Sequence, residues 1–186
     1  FVETWIPVSS TGMTSKLMKP KTHVLPDLLA PDLKLVFIGT AASAASATAQ
    51  AYYAHPGNFF WPTLYKSGLT PRKFAPTEFR ELLGLGIGLT DIAKSATGSD
   101  AQIPDDAWDA DALQDKIRKY QPACVGFTSK TAAASTLGLK KIDYGLFSQR
   151  LGETRLFVLP SPSGRARGYW DDSWWSELAR LVNQSE

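Results

Sequence analysis

Short, mostly apolar runs divide this chain at residues 33–38, 87–92, 124–127 and 156–159. The first is bounded by Pro31 and Gly39, the third follows Pro122, and the last runs into Pro160. Runs of this length and composition predict buried parallel strands. Between them lie segments with other periodicities. Residues 41–51 are rich in alanine and predict a helix or a tight loop of small residues. Residues 76–83 predict a short amphipathic helix with Thr77 near its cap, stopped by the glycines at 84–88. Residues 109–120 carry Leu113 and Ile117 four apart, the spacing of a helix face. A further helix is expected from Thr131, after the turn Thr128-Ser129-Lys130, and a closing one over 173–182.

Strands alternating with helices predict an α/β fold, a three-layer α/β/α sandwich around a central, mainly parallel sheet in a single domain over residues 13–186. Right-handed crossovers then carry the loops after residues 38, 127 and 159 to one edge of the sheet. Loops leaving the carboxyl ends of such strands form the ligand crevice. Phe1 is not an initiator residue, and residues 1–12 are expected to be a leader outside the fold.

Composition narrows the chemistry. With one cysteine, Cys124, neither a disulfide framework nor a four-cysteine cluster can be built within the chain, and two histidines make a dedicated zinc site unexpected. No metal and no cofactor are expected. No apolar run is long enough to cross a bilayer, and a cytoplasmic, bacterial-type setting with no membrane partner is expected. The net charge of +2 argues little, but its distribution is uneven. Acidic residues crowd positions 100–115, whereas Lys66, Arg72, Lys73, Lys130, Lys140, Lys141, Arg150, Arg155, Arg165 and Arg167 lie elsewhere. That pattern fits either an ordinary solvated surface or a phosphate-tracking face.

Two loops carry the candidate chemistry. The first contains Tyr52-Tyr53-Ala54-His55-Pro56-Gly57-Asn58-Phe59-Phe60-Trp61. Aromatic faces stack nucleobases at about 1–3 kcal/mol each, and an Asn amide can pair with a base edge or hold a water. Phe59, Phe60 and Trp61 are expected to be core, while Tyr53, His55 and Asn58 are polar groups among bulky neighbours. The second loop, Ser161-Pro162-Ser163-Gly164-Arg165, combines small residues with hydroxyl and guanidinium donors for phosphate. The segment Gly39-Thr40-Ala41-Ala42-Ser43 lacks both the dinucleotide fingerprint and the P-loop lysine.

In this order and spacing the segments resemble the uracil-DNA glycosylase superfamily, most closely its mismatch-specific uracil-DNA glycosylase and hypoxanthine-DNA glycosylase branches. The resemblance runs from about Leu33 to Leu181. It rests on Val36-Phe37-Ile38-Gly39, on Tyr53-Ala54-His55-Pro56-Gly57-Asn58-Phe59-Phe60-Trp61 and on Leu159-Pro160-Ser161-Pro162-Ser163-Gly164.

The resemblance implies a monomeric base-excision-repair enzyme that flips uracil or a related deaminated base out of DNA, hydrolyses its N-glycosidic bond and leaves an abasic site. It implies that Tyr53 stacks on the base, that backbone amides around Thr40, Ala41 and Ala42 face its carbonyl oxygens, and that Asn58 and Ser161 read its edge. Ser43, Lys130, Ser163, Gly164, Arg165 and Arg167 would contact DNA, with Arg165 standing where mismatch-specific relatives have an apolar wedge. Ala41 stands where those relatives have the asparagine that orients the attacking water, and Ser161 also replaces an asparagine. Asn58 and Asp91 are the candidates to take over that task, with His55 stabilising the leaving base. A carboxylate can activate water or stabilise a cationic sugar, although Asp91 could equally cap a helix at 92–94. The loss at Ala41 leaves open a lesion- or abasic-DNA-binding relative with weak or no turnover. A hydrolase using Ser43 or Ser163 as nucleophile is disfavoured, because G-x-S-x-G is missing.

Overall fold

The computed structural model describes residues 22–184; the expected leader at 1–12 lies outside them. In strand β1 (Leu35–Gly39) every residue is buried. Leu35 and Phe37 enter one core cluster, and Val36 and Ile38 enter the other. Both faces of the strand are therefore dry, which is why its sequence runs apolar instead of alternating with polar residues. Strand β1 pairs in parallel with β2 (Ile87–Asp91) on one side and β3 (Cys124–Phe127) on the other. Strand β5 (Thr154–Val158) runs parallel to β3, and β4 (Gly145–Leu151) completes the sheet as an antiparallel edge. The order is β2-β1-β3-β5-β4.

Helices cover both faces. Helix α3 (Ala110–Tyr120) and helix α4 (Lys130–Leu137) supply Leu113, Ile117, Ala132 and Ala133 to the core on one side. Helix α2 (Phe60–Lys66) and helix α5 (Ser173–Asn183) supply Phe60, Trp61, Leu64, Trp175 and Leu178 to the other. Short helix α1 (Ala44–Ala49) sits at the carboxyl edge of the sheet, capped by Ser43, whose Oγ accepts from the Ser46 amide at 3.1 Å. This is an α/β fold in one domain with a mixed, mostly parallel sheet.

The differences from expectation have local causes. Residues 76–85 form a 3-10 helix (Pro76–Leu85), and Thr77 does not cap it. The Ala75 amide at its start instead donates to Glu78 Oε2 at 2.7 Å. Helix α4 begins at Lys130, one residue early, because Ser129 caps it by accepting from the Ala132 amide at 3.0 Å. Strand β4 was not anticipated, since only Gly145 of its seven residues is buried and its outer positions are polar. Asp91 is the last residue of β2 and not a helix cap, because residues 92–98 form no helix. Helix α2 was also unforeseen; Phe60 and Trp61 are core as expected, while Phe59 is only half-buried.

Candidate functional site

The sheet changes direction at β1: the chain moves outward to β2, then crosses back to β3 on the opposite side. Above such a switch point the loops diverge and leave a crevice. Here that crevice is a cavity of about 1030 Å³, bounded by Gly39–Ser46, Tyr53–Asn58, Asp91, Thr128–Thr131 and Ser161–Arg167. Its size exceeds what one small ring fills and suits a nucleotide with its flanking phosphates. Every residue singled out from the sequence, from Thr40, Ala41, Ala42 and Ser43 through Tyr53, His55, Asn58 and Asp91 to Lys130, Ser161, Ser163, Gly164, Arg165 and Arg167, lines this one space.

Backbone contacts bring the two distant loops together. The Phe59 amide donates to the Pro162 carbonyl at 2.8 Å. A Cβ on Gly164 would stand 2.9 Å from the Gly57 carbonyl oxygen, so the loops touch where neither has a side chain. The loop after β1 is likewise fixed, because the Gly39 and Thr40 carbonyls accept from the Ile92 and Ala93 amides at 3.0 and 2.8 Å.

Tyr53 stacks on buried Phe60, with ring centroids 3.9 Å apart and planes 17° from parallel. The Thr128 hydroxyl donates to the Ile38 carbonyl at 3.3 Å, leaving its oxygen to accept from the Tyr53 hydroxyl at 3.3 Å. The Tyr53 backbone has φ 54°, a left-handed conformation rare for a bulky side chain. Phe60 below and Thr128 at the hydroxyl over-determine the ring and hold that conformation. Burial, and then the negative charge of Asp91, push the Tyr53 phenol well above its ordinary range. It stays neutral and can donate.

Asp91 occupies the floor. It pairs in register with Gly39, and a Cβ at Gly39 would come within 2.5 Å of Asp91 Oδ1 and 3.2 Å of the Tyr53 hydroxyl. Gly39 is therefore the seat on which both groups rest. Asp91 is 5% exposed, and among the described residues no protein donor binds its carboxylate. No side-chain oxygen there is both sealed and unpartnered, so the carboxylate reaches cavity space. Burial raises its pKa from 3.8 to about 6, against the opposing pull of Lys94. A carboxyl near neutrality facing a cavity can accept a proton from water.

The two other candidates have partial partners. Asn58 Oδ1 accepts from the Phe60 amide at 2.9 Å, which leaves the Nδ2 protons available to a ligand. His55 Nδ1 accepts from the Gly57 amide at 3.0 Å, which assigns the ring proton to Nε2 when the ring is neutral. At the mouth, Arg165 and Arg167 are exposed, and the Arg167 guanidinium lies 5.5 Å from the Phe59 ring centroid. Lys130 lies 4.3 Å over the Tyr144 ring and 3.6 Å from Asp143. Lys66 and Arg72 carry their own acidic partners, Asp172 and Glu78, so the basic residues do not form one continuous face.

Thr128, Ser129, Tyr144 and Tyr169 also line the cavity and were not singled out from sequence. Thr128 and Ser129 had a signal, since they follow the strand at 124–127. Tyr169 had none, yet it is the most exposed large hydrophobic residue among the described residues, at 79%. Among the described residues there is no group of His, Cys, Asp and Glu fit to hold a metal, and no helix is long and apolar enough to cross a membrane.

The solution NMR structure of a protein from Methanosarcina acetivorans, provisionally assigned as a uracil DNA glycosylase, superposes on this chain with a TM-score of 0.56. It covers 86% of this chain and 96% of its own at 23% identity, a likeness of fold. The model of the Uracil DNA glycosylase superfamily matches residues 26–179, which takes in all five strands and every loop of the cavity. On that match, over most of its length, the chain belongs to the uracil DNA glycosylase superfamily.

Proposed function

We propose that the chain is a monofunctional DNA glycosylase of the uracil-excising type, acting on uracil or a related deaminated base. The observation that carries this reading is the pairing, on one seat at Gly39, of a stacking ring and a buried carboxylate that no donor among the described residues binds. The target nucleotide leaves the helix, at a cost of a few kcal/mol, and its base lies on the cavity side of Tyr53. Amides of Thr40 to Ala42, the Nδ2 of Asn58 and the Ser161 hydroxyl read the base edge. As the N-glycosidic bond lengthens, electrons move to the base and the sugar becomes oxocarbenium-like. The amides and the Nε2 proton of His55 stabilise the base anion.

Ala41 offers no group able to hold water, so that task falls to Asp91, with Asn58 aiding its orientation. Water attacks the anomeric carbon, its proton passes to Asp91, and the products are the free base and an abasic site. Ser43, Ser163, Gly164, Lys130, Arg165 and Arg167 engage the flanking phosphates. The protein works as a monomer and needs neither metal nor cofactor.

The test uses end-labelled single- and double-stranded oligonucleotides carrying one uracil, followed by alkaline cleavage of abasic sites. Strand scission by the wild type that is lost in Asp91→Asn supports the assignment, and retention in Asn58→Ala separates the two candidates. A gel shift on abasic DNA without scission would instead establish a lesion-binding protein, a reading that Ala41 and the exposed Arg165 and Arg167 favour.

A further inference from the structure

Asp91 is a wall shared by two spaces. On one side is the large cavity; on the other is a second, of about 100 Å³, whose lining includes Lys94, Lys116, His23 and Asp109. Lys94 is 8% exposed. Its Nζ donates to the Tyr52 hydroxyl at 2.8 Å and lies 3.1 Å from Asp27 Oδ1. The Tyr52 hydroxyl in turn donates to the Pro26 carbonyl at 3.0 Å, which fixes its lone pairs toward the lysine. An ammonium has three protons, so the two partners among the described residues leave one over.

Charge balance gives that arrangement its meaning. Asp27 already holds Lys116, at 2.6 Å from Oδ2, and accepts from Thr90 Oγ1 at 2.6 Å. One carboxylate thus faces two cations. The Lys116 side chain is 24% exposed and Lys94 is buried, so the cluster keeps a net positive charge that favours an anion beside it. Asp109 is exposed and its carboxylate is engaged with the Ala112 amide. His23 is exposed, and the Tyr52 and Tyr53 phenols are neutral. Asp91 is the remaining acid on the wall, and Lys94 is the largest charge acting on it.

We propose that Lys94, clamped by Asp27 and Tyr52 behind the site, is a positioning residue that supplies the countercharge holding the Asp91 carboxylate as the anion turned toward the large cavity. The proposal rests on the reading of Asp91 as the water-activating group. It makes residues 27, 52, 90, 94 and 116 one electrostatic support behind the Asp91 carboxylate.

The test combines ¹³C-carboxyl NMR titration of Asp91 with pH profiles of single-turnover uracil excision, in wild type, Lys94→Met and Lys94→Arg. Loss of the cation in Lys94→Met is expected to move the Asp91 titration and the acidic limb of the rate upward together by about one pH unit. A shift of that size lowers the ionised fraction about fivefold at pH 6 and about twofold at pH 7. Lys94→Arg restores both. Should Lys94→Met fail to fold, Lys116→Met removes the other cation and is expected to shift both curves in the same direction. A folded Lys94→Met with an unmoved Asp91 titration overturns the proposal, even where Asp91→Asn abolishes excision. Full excision by Asp91→Asn overturns the water-activating reading instead, and the NMR titration still decides whether Lys94 holds the anion.

Discussion

Replacing Asp91 by Asn should inactivate the protein and stabilise it. The carboxyl is 5% exposed and titrates near pH 6 in the fold, against 3.8 as its ordinary value. That gap, about two pH units at 1.36 kcal/mol each, corresponds to about 3 kcal/mol. The sign follows from proton counting. Between pH 3.8 and 6 the folded state binds the proton that the unfolded state has released, so stability falls as pH rises through that window and stays lower above it. The value already sets the attraction of Lys94 against the loss of hydration. Asn resembles the protonated acid in shape and carries no charge, so Asp91→Asn removes the penalty. Urea unfolding followed by the fluorescence of the six tryptophans, at intervals from pH 4 to pH 8, measures it. The variant should match the wild type near pH 4 and exceed it by up to about 3 kcal/mol at pH 8. A variant less stable than the wild type at pH 8, or a difference independent of pH, would refute the argument that burial dominates at Asp91. Such a trade of stability for chemistry is what a working carboxylate shows and a structural one does not.

Other substitutions probe the same floor and rim. Gly39→Ala puts a methyl 2.5 Å from Asp91 Oδ1; overpacking of this kind costs about 1–3 kcal/mol, and excision should fall well beyond that loss because the carboxylate is displaced, as single-turnover kinetics would record. Tyr53→Ala removes the ring that rests on Phe60 and should weaken binding to uracil-containing single strands by about 1–3 kcal/mol, while Tyr53→Phe keeps the stack and stays within a few-fold in the same anisotropy titration. Arg165→Ala and Arg167→Ala should each reduce the dependence of log K on log salt by about one phosphate's worth; unchanged slopes would remove both arginines from the DNA path.

The sequence was most legible where one physical demand dominated. A strand dry on both faces must be apolar, and the run at 124–127 coincides with β3 to the residue. Strand β4 obeyed no such demand. Lying at the sheet edge with exposed Leu146, Ser148, Gln149 and Arg150, it left no alternating pattern to read. The candidate site was legible to a different depth at each residue. Tyr53 and Asn58 stood out because polar groups interrupted an aromatic string, yet the left-handed backbone that aims Tyr53 has no sequence signature outside glycine and asparagine. Asp91 was visible as a carboxylate after an extended segment, and its alternative as a helix cap could be dismissed only once strand register set it opposite Gly39. The Lys94–Asp27 pair could not be read at all, since its partners are 67 residues apart and each has the composition of an ordinary surface position. What makes Asp91 chemically distinctive is therefore not its local sequence. It is the combination of a glycine that admits its oxygen, a ring that covers it and a buried cation behind it, brought together by three separate crossings of the sheet edge.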